Sequence, residues 1–343
     1  MIAINKKVFL ISLLLFFGVL LLFVGNVLWG SVRIPITDII AIIKGGGGRD
    51  SWNTIVLDSR LPMALTAFLV GAALSVSGLL MQTLFRNPLA GPSVLGVTSG
   101  ASLGVALVVL LTGGLLAQYD HLLISNLGVF LAALMGAGVV LLVLILLSAS
   151  IGNNLVLLIV GLMMGYAISS LVSILQFFAT DHDLQAYVIW GMGSFSHVGW
   201  QKMAWFLPVV VVGLLASLLL MKPLNGMLLG ESYAQNLGLN VRRVRVLIIA
   251  VAGVLAAVVT AFCGPVAFVG IAVPHIVRNL YHSHDHRILI PGTILAGGAF
   301  ALSCNLIARL PGMMGALPIN AISSLLGAPV VVWVIFRNRF KEV

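Results

Sequence analysis

Three imidazoles and a carboxylate fall within five residues at His282-Ser283-His284-Asp285-His286, a donor set able to hold zinc or iron. A solvated polar connection between two apolar runs is the simpler account, so no metal is expected there. Cys263 and Cys304 each sit inside an apolar run, which leaves neither a disulfide framework nor a Cys-rich metal site. No nucleophile, base and oxyanion donor cluster together as an enzyme would require. A Gly-x-x-x-x-Gly-Lys-Ser/Thr phosphate cradle is also absent. The densest polar chemistry instead lies in one break between apolar segments, Gly226 to Arg245. There Glu231 to Asn236 can form a short helix bounded by Gly230 and Gly238. Two short helices joined at a glycine would make a rigid lever projecting from the rest of the chain. An ordinary loop with a basic end fits the segment equally well when it is taken alone.

The elements around that lever are apolar. The 343 residues are 61% hydrophobic and 8% charged, and the mean hydropathy is +1.18. So little polar surface cannot cover a soluble globule. Long apolar runs such as 127–147 exclude a membrane β-barrel, which would alternate in segments of about ten residues. The fold class is therefore all-α, a polytopic membrane protein. Spans are expected near 8–29, 61–84, 93–112, 122–149, 155–179, 203–221, 244–262, 265–281, 288–309 and 317–336. The first is read as a span and not a signal peptide, because its apolar core is too long and no small-x-small site closes it. Gly270 and Pro274 make the segment at 265–281 a candidate for a tilted or broken helix.

Ten spans place both termini on one side. With that side cytoplasmic, twelve of the 18 Lys and Arg lie inside and six outside, the excess expected of positive-inside topology. This excess explains the net charge of +9 without a nucleic-acid partner. Two polar stretches then fall outside. Residues 31–59 are expected as short helical pieces flanking the tip Gly45-Gly46-Gly47-Gly48. Residues 181–200 carry Tyr187, Trp190, Phe195 and Trp200, read as interfacial anchors, with an alternative role lining an entrance.

Several stretches together resemble the FecCD-type permeases, the membrane subunits of type II ABC importers for ferric siderophores, heme and vitamin B12. They are Arg60-Leu61-Pro62, Gly71 to Gly78, Gln82, Arg86-Asn87-Pro88-Leu89-Ala90, Pro92 to Gly104, Leu229-Gly230-Glu231 with Leu237-Gly238, Gly264-Pro265 through Pro274-His275, Asp285-His286-Arg287, Leu317-Pro318 and Gly327-Ala328-Pro329. The resemblance implies one permease domain over 1–343 with ten transmembrane helices, assembled with a second copy of itself. It further implies two separate ATPase subunits and a periplasmic or lipid-anchored substrate-binding protein, in a bacterial cytoplasmic membrane. No cofactor is expected on this chain, with ATP and Mg held by the partner ATPase.

Carried over by position, residues 226–239 match the family's coupling helices, with Leu229, Gly230, Glu231, Ser232, Ala234, Leu237 and Gly238 as the ATPase contact. Arg60 and Arg309 match arginines that dock the binding protein. Asn153 and Asn154 stand at the gate, and Gly161, Gly165 and Ser169 lie along the pathway or pack helices closely. Three departures stand out: Met63 replaces a second docking arginine, Ala316 a carboxylate and Asn320 a glycine. Asn305 also stands near a position where the family often has Asp. The family's breadth makes a ferric siderophore the first expectation for the cargo, with heme and cobalamin next. The rival class, an ATP-independent secondary transporter, would need intramembrane ion-coupling residues, and none is apparent. A faint likeness between Gly91-Pro92-Ser93-Val94-Leu95-Gly96 and Gly264-Pro265-Val266-Ala267-Phe268-Val269-Gly270 fits an internal repeat in either class.

Overall fold

A computed structural model describes residues 6–46, 49–111, 122–310 and 316–339. Gly47 and Gly48 of the expected glycine tip, Gly315 beside Ala316, and the basic residue Lys341 lie outside the described residues. The architecture is all-helical, as the composition demands, and no strand occurs among the described residues. Among the described residues, seven helices are long and apolar enough to cross a membrane. Of the other expected segments, 93–112 is a 3₁₀ turn followed by a 10-residue α-helix and a π-helical stretch, 265–281 is interrupted, and 317–336 falls on one helix of 21 residues, Ile319–Arg339. The broken character expected at 265–281 is found at its start. Residues 264–268 are non-helical and helix resumes only at Val269, giving a helix of 13 residues that runs through Pro274. At 1.5 Å per residue this is about 20 Å, short of the ~30 Å hydrocarbon core.

The centre of the bundle is helix α4 (Leu61–Leu84), nearly all of whose residues are buried. Small residues set its packing. A side chain at Gly71 would run into the Gly297 carbonyl of α14 (His286–Ala308), and one at Gly78 into the Gly270 carbonyl of α13 (Val269–Tyr281). Without a strong hydrophobic drive between helices in lipid, close backbone approach and interhelical hydrogen bonds hold the bundle. Ser75 Oγ accordingly donates to the Thr293 carbonyl of α14 at 3.0 Å. Ser77 Oγ donates to the Ala252 carbonyl of α12 (Val241–Cys263) at 2.8 Å.

Helix α1 (Lys6–Leu28) is the opposite case, with Phe9, Leu14 and Leu21 exposed and its buried polar residue, Asn26, on the contact face. Its Asn26 donates to the Leu302 carbonyl and accepts from Asn305 Nδ2 at 2.8 Å, pinning α1 to α14. Asn305 is thereby spent on a structural tie.

The chain leaves α1 through two short helices, α2 (Ile36–Ile43) and α3 (Asp50–Asn53), the pieces expected around the glycine tip. A π-helical stretch, Thr54–Arg60, then feeds directly into α4, so the helical rod begins about ten residues before the expected span. At the other end of α4 the chain turns through Arg86, whose φ is +48°, into the 3₁₀ turn Pro92–Leu95 and α5 (Val97–Ala106). Helices α6 (Leu122–Ser150) and α7 (Asn154–Phe178) follow. In the 181–200 stretch, α8 (Asp181–Gly191) carries the buried Tyr187, and Phe195 beyond it is fully buried. These two rings are core residues and not interfacial anchors. Trp200, opening α9 (Trp200–Leu219), is exposed, and its indole N–H donates to the Leu57 carbonyl.

Candidate functional site

The polar break at 226–245 folds as two short helices, α10 (Met221–Leu228) and α11 (Glu231–Asn236). Gly230 joins them at φ +118° and ψ 150°, a region open essentially only to glycine. Gly238 closes α11 at φ +81°. Its N–H donates to the Gln235 carbonyl and the Leu239 N–H to the Ala234 carbonyl, the paired bonds of a Schellman cap. Ala234 is buried under the turn. Leu228, Leu229, Tyr233 and Leu237 face outward at 43, 65, 51 and 59% exposure, and Ser232 is exposed among them. A two-helix corner therefore presents exposed apolar side chains that nothing among the described residues covers. Such a patch marks an interaction surface.

One side of the corner is tied back into the bundle. Asn154 Nδ2 donates to Glu231 Oε1 at 2.6 Å and to the Leu84 carbonyl at 2.9 Å. Arg245 Nη2 lies 3.3 Å from Glu231 Oε1, and its guanidinium donates to the Ile151 and Gly152 carbonyls at 2.6 and 2.9 Å. Asn153, one residue on, caps α7 by accepting from the Leu155 and Val156 N–H groups. Two regions assigned separately from sequence, the lever and the 153–154 loop, are thus one network. Arg245 is its hub and was missed as a functional residue. Its side chain is only 4% exposed, and an arginine in a basic run gives no sequence sign of that. On the other side of the corner, Arg86 Nη2 donates to the Met227 carbonyl and fastens the end of α4 to α10.

The residues assigned to the pathway divide. Gly161 packs against the Val94 carbonyl, and Gly165 lies beside Gly96 and Ser99, so both serve close packing of α7 on the 92–99 segment. Ser169 faces out on α7 with Tyr166 and Ser170. The two Gly-Pro stretches that resemble each other meet around one cavity of about 260 Å³, lined by Pro92, Ser93, Pro265, Phe268 and Asn320 among others. Asn320 explains its own departure from glycine, since its Oδ1 accepts from the Ala267 N–H in the unwound stretch at 3.1 Å.

At the opposite end of α4 the two arginines assigned to docking differ. Arg60 is 1% exposed and donates to the Val27 and Leu28 carbonyls at the end of α1 and to Val32. It satisfies carbonyls that a helix end leaves without intrahelical partners, and so does not present the rim charge the sequence led us to expect. Arg309 is half-buried, with Nη1 3.1 Å from Met63 Sδ, the residue standing where a second arginine was expected. In the 282–286 cluster the imidazoles do not converge. His282 ends α13 at φ +49°, His284 is exposed, and His286 is buried against Thr83 Oγ1 and Asn225 Oδ1. No set of three metal-ligating side chains gathers among the described residues.

Comparison with known proteins bears on the family and the fold. The model of the FecCD transport family matches residues 16–337. The vitamin B12 import system permease protein BtuC of Klebsiella pneumoniae subsp. pneumoniae is 36% identical over 82% of this chain and 82% of its own. That of Escherichia coli O9:H4 is 37% identical over 82% and 83%. Among solved structures, one described as an inward-facing conformation of a metal-chelate type ABC transporter superposes with a TM-score of 0.80. It is 29% identical and covers 94% of this chain and 99% of that one.

Proposed function

The chain belongs to the FecCD transport family and is a membrane permease of the type II ABC importer class, and we propose that it carries a metal chelate inward. Cobalamin, itself a cobalt chelate, is our first choice of cargo because the similar B12 permeases align over four-fifths of their length. A ferric siderophore, the first expectation from sequence, is the second choice, and the metal-chelate description of the structural neighbour accommodates both. The protein is a transport subunit, so ATP and Mg are assigned to a separate ATPase and no cofactor to this chain. A second copy of the chain and a substrate-binding protein complete the assembly. The distribution of Lys and Arg supports cytoplasmic termini in a bacterial inner membrane.

The observation that carries the mechanism is the single network joining Glu231 of the corner to Asn154 and the 151–152 carbonyls. The exposed Leu229, Tyr233 and Leu237 patch seats on the ATPase. When that subunit moves on binding or hydrolysing ATP, α10 and α11 move with it as one body. Glu231 and Arg245 pass the displacement to the 151–154 loop and so to the end of α7. No binding energy of this chain toward cargo is needed, because few charges fall within the spans and selection is delegated to the binding protein.

The test is reconstitution of the chain with its ATPase and binding protein in proteoliposomes. ATP hydrolysis should rise with cobalamin-loaded binding protein. A rise with a ferric siderophore instead moves the cargo assignment to the second choice. Recovery of the chain from its native membrane without any ATPase, with transport intact, would overturn the importer mechanism itself.

A further inference from the structure

Beside the end of α10 lies a polar cavity of about 390 Å³ that the transport reading leaves unused. Arg86 and Arg278 line it together with His275, His284 and His286, and Gln82 and Thr83 add neutral polar groups. No carboxylate is among its lining residues. The nearest acid in sequence, Asp285, turns to the first turn of α14, where it accepts from the Arg287 N–H and from Asn225 Nδ2. The two guanidinium groups meet only neutral acceptors among the described residues. Arg278 Nη1 donates to Gln82 Oε1 at 2.6 Å and Arg86 Nη2 to the Met227 carbonyl at 2.9 Å. Ion pairs among the described residues join other groups, His182 with Asp183 and Arg245 with Glu231. Each guanidinium therefore keeps donors to spare beside this open cavity.

Positive charge held in a partly buried cavity without a counter-charge is costly, and an anion is what offsets it. The flat fork of arginine matches an oxyanion in particular, with two parallel N–H donors meeting two oxygens. We propose that this cavity is a binding site for a phosphate-type oxyanion, held by Arg86 and Arg278 with His284 at the mouth. Two sources share that chemistry, free inorganic phosphate and the phosphate monoester headgroup of an anionic phospholipid. The cavity and its charges are the same whatever the chain carries. Because Arg86 also holds the Met227 carbonyl, an occupant would stiffen the junction of α4 with α10.

The experiment uses the full chain in nanodiscs, with chloride balancing ionic strength throughout. Inorganic phosphate is titrated calorimetrically in phosphatidylcholine discs, and native mass spectrometry compares retention of phosphatidic acid with phosphatidylcholine in mixed discs. Saturable phosphate binding in the neutral discs identifies free phosphate. Preferential retention of phosphatidic acid without phosphate binding identifies the headgroup. In either case His284→Glu, at an exposed position, and Arg86→Gln should each weaken binding about tenfold or more, equivalent to about 1.4 kcal/mol. Absence of both signals, or binding that neither substitution alters, overturns the site. Transport activity enters none of these readouts, so failure here leaves the importer mechanism standing, and the reverse.

Discussion

Glu231 and Asn154, 77 positions apart in the chain, share a hydrogen bond of 2.6 Å from Asn154 Nδ2 to Glu231 Oε1. Arg245 Nη2 reaches the same carboxylate at 3.3 Å while its guanidinium holds the Ile151 and Gly152 carbonyls. A single carboxylate therefore registers both the corner that faces a partner and the loop that opens α7.

Replacing that carboxylate should separate hydrolysis from transport. Glu231→Gln keeps the size and an acceptor but loses the charge shared with Arg245. We expect ATP hydrolysis to continue while uptake per ATP falls several-fold. Glu231→Lys, which sets two cations together, should nearly abolish uptake. A double-mutant cycle between Glu231→Gln and Asn154→Ala should give a coupling energy of about 0.5–1.5 kcal/mol in thermal unfolding. Additive effects and unchanged uptake would remove the network from the mechanism.

The corner between α10 and α11 depends on Gly230, whose φ of +118° no L side chain adopts without strain. Gly230→Ala should cost about 1–3 kcal/mol, seen as a lower midpoint in a detergent melting assay. Gly238 has open space around it and φ +81°. Gly238→Ala there should cost about 1–2 kcal/mol through backbone conformation alone. A bulky residue should additionally obstruct the apolar patch and reduce ATPase association measured by co-purification.

Arg60 and Arg309 should part company when each is changed to Gln. Arg60→Gln strips the carbonyls at the end of α1 of their donors and should lower the melting temperature by several degrees, with about 1–3 kcal/mol lost. Arg309→Gln should leave melting nearly unchanged and slow association with the binding protein, most clearly at low salt. Equal salt-dependent effects of the two on association, without loss of stability in Arg60→Gln, would restore Arg60 to the docking surface.

Helix α4 should tolerate no growth where it touches its neighbours. Gly78→Ala drives a methyl group into the Gly270 backbone, a contact that cannot be relieved by a rotamer change. We expect a loss of folded protein in membranes, read as reduced yield in fluorescence-detected size exclusion. By contrast Gly138→Ala, on α6 with nothing nearby, should express normally.

The broad architecture was legible because the solvent imposes it. Few charges and long apolar runs admit only helices in a bilayer, and the glycine-bounded polar break between them must lie outside it, as a corner or as a loop. Gly230, Glu231 and Gly238 could be read in the same way, since the helix between them and its glycine ends are local in sequence. The break at 264–268 could be read only in part. Hydropathy sees the apolar run at 265–281 but not that residues 264–268 unwind, where Asn320 meets the Ala267 N–H. Aromatics at Tyr187 and Phe195 likewise read as surface anchors until burial in the bundle was seen.

Sequence alone determined an all-helical membrane protein, the glycines that bound its polar break and the family resemblance, because each rests on residue types close together in the chain. Only the tertiary structure decided what the charges do. It turned Arg60 into a brace for the end of α1, gathered Glu231, Asn154 and Arg245 into one network, and left Arg86 and Arg278 facing a cavity without a counter-charge. Where a guanidinium finds its partners is a matter of which helix ends meet in space, often across dozens of residues, and no local pattern records it.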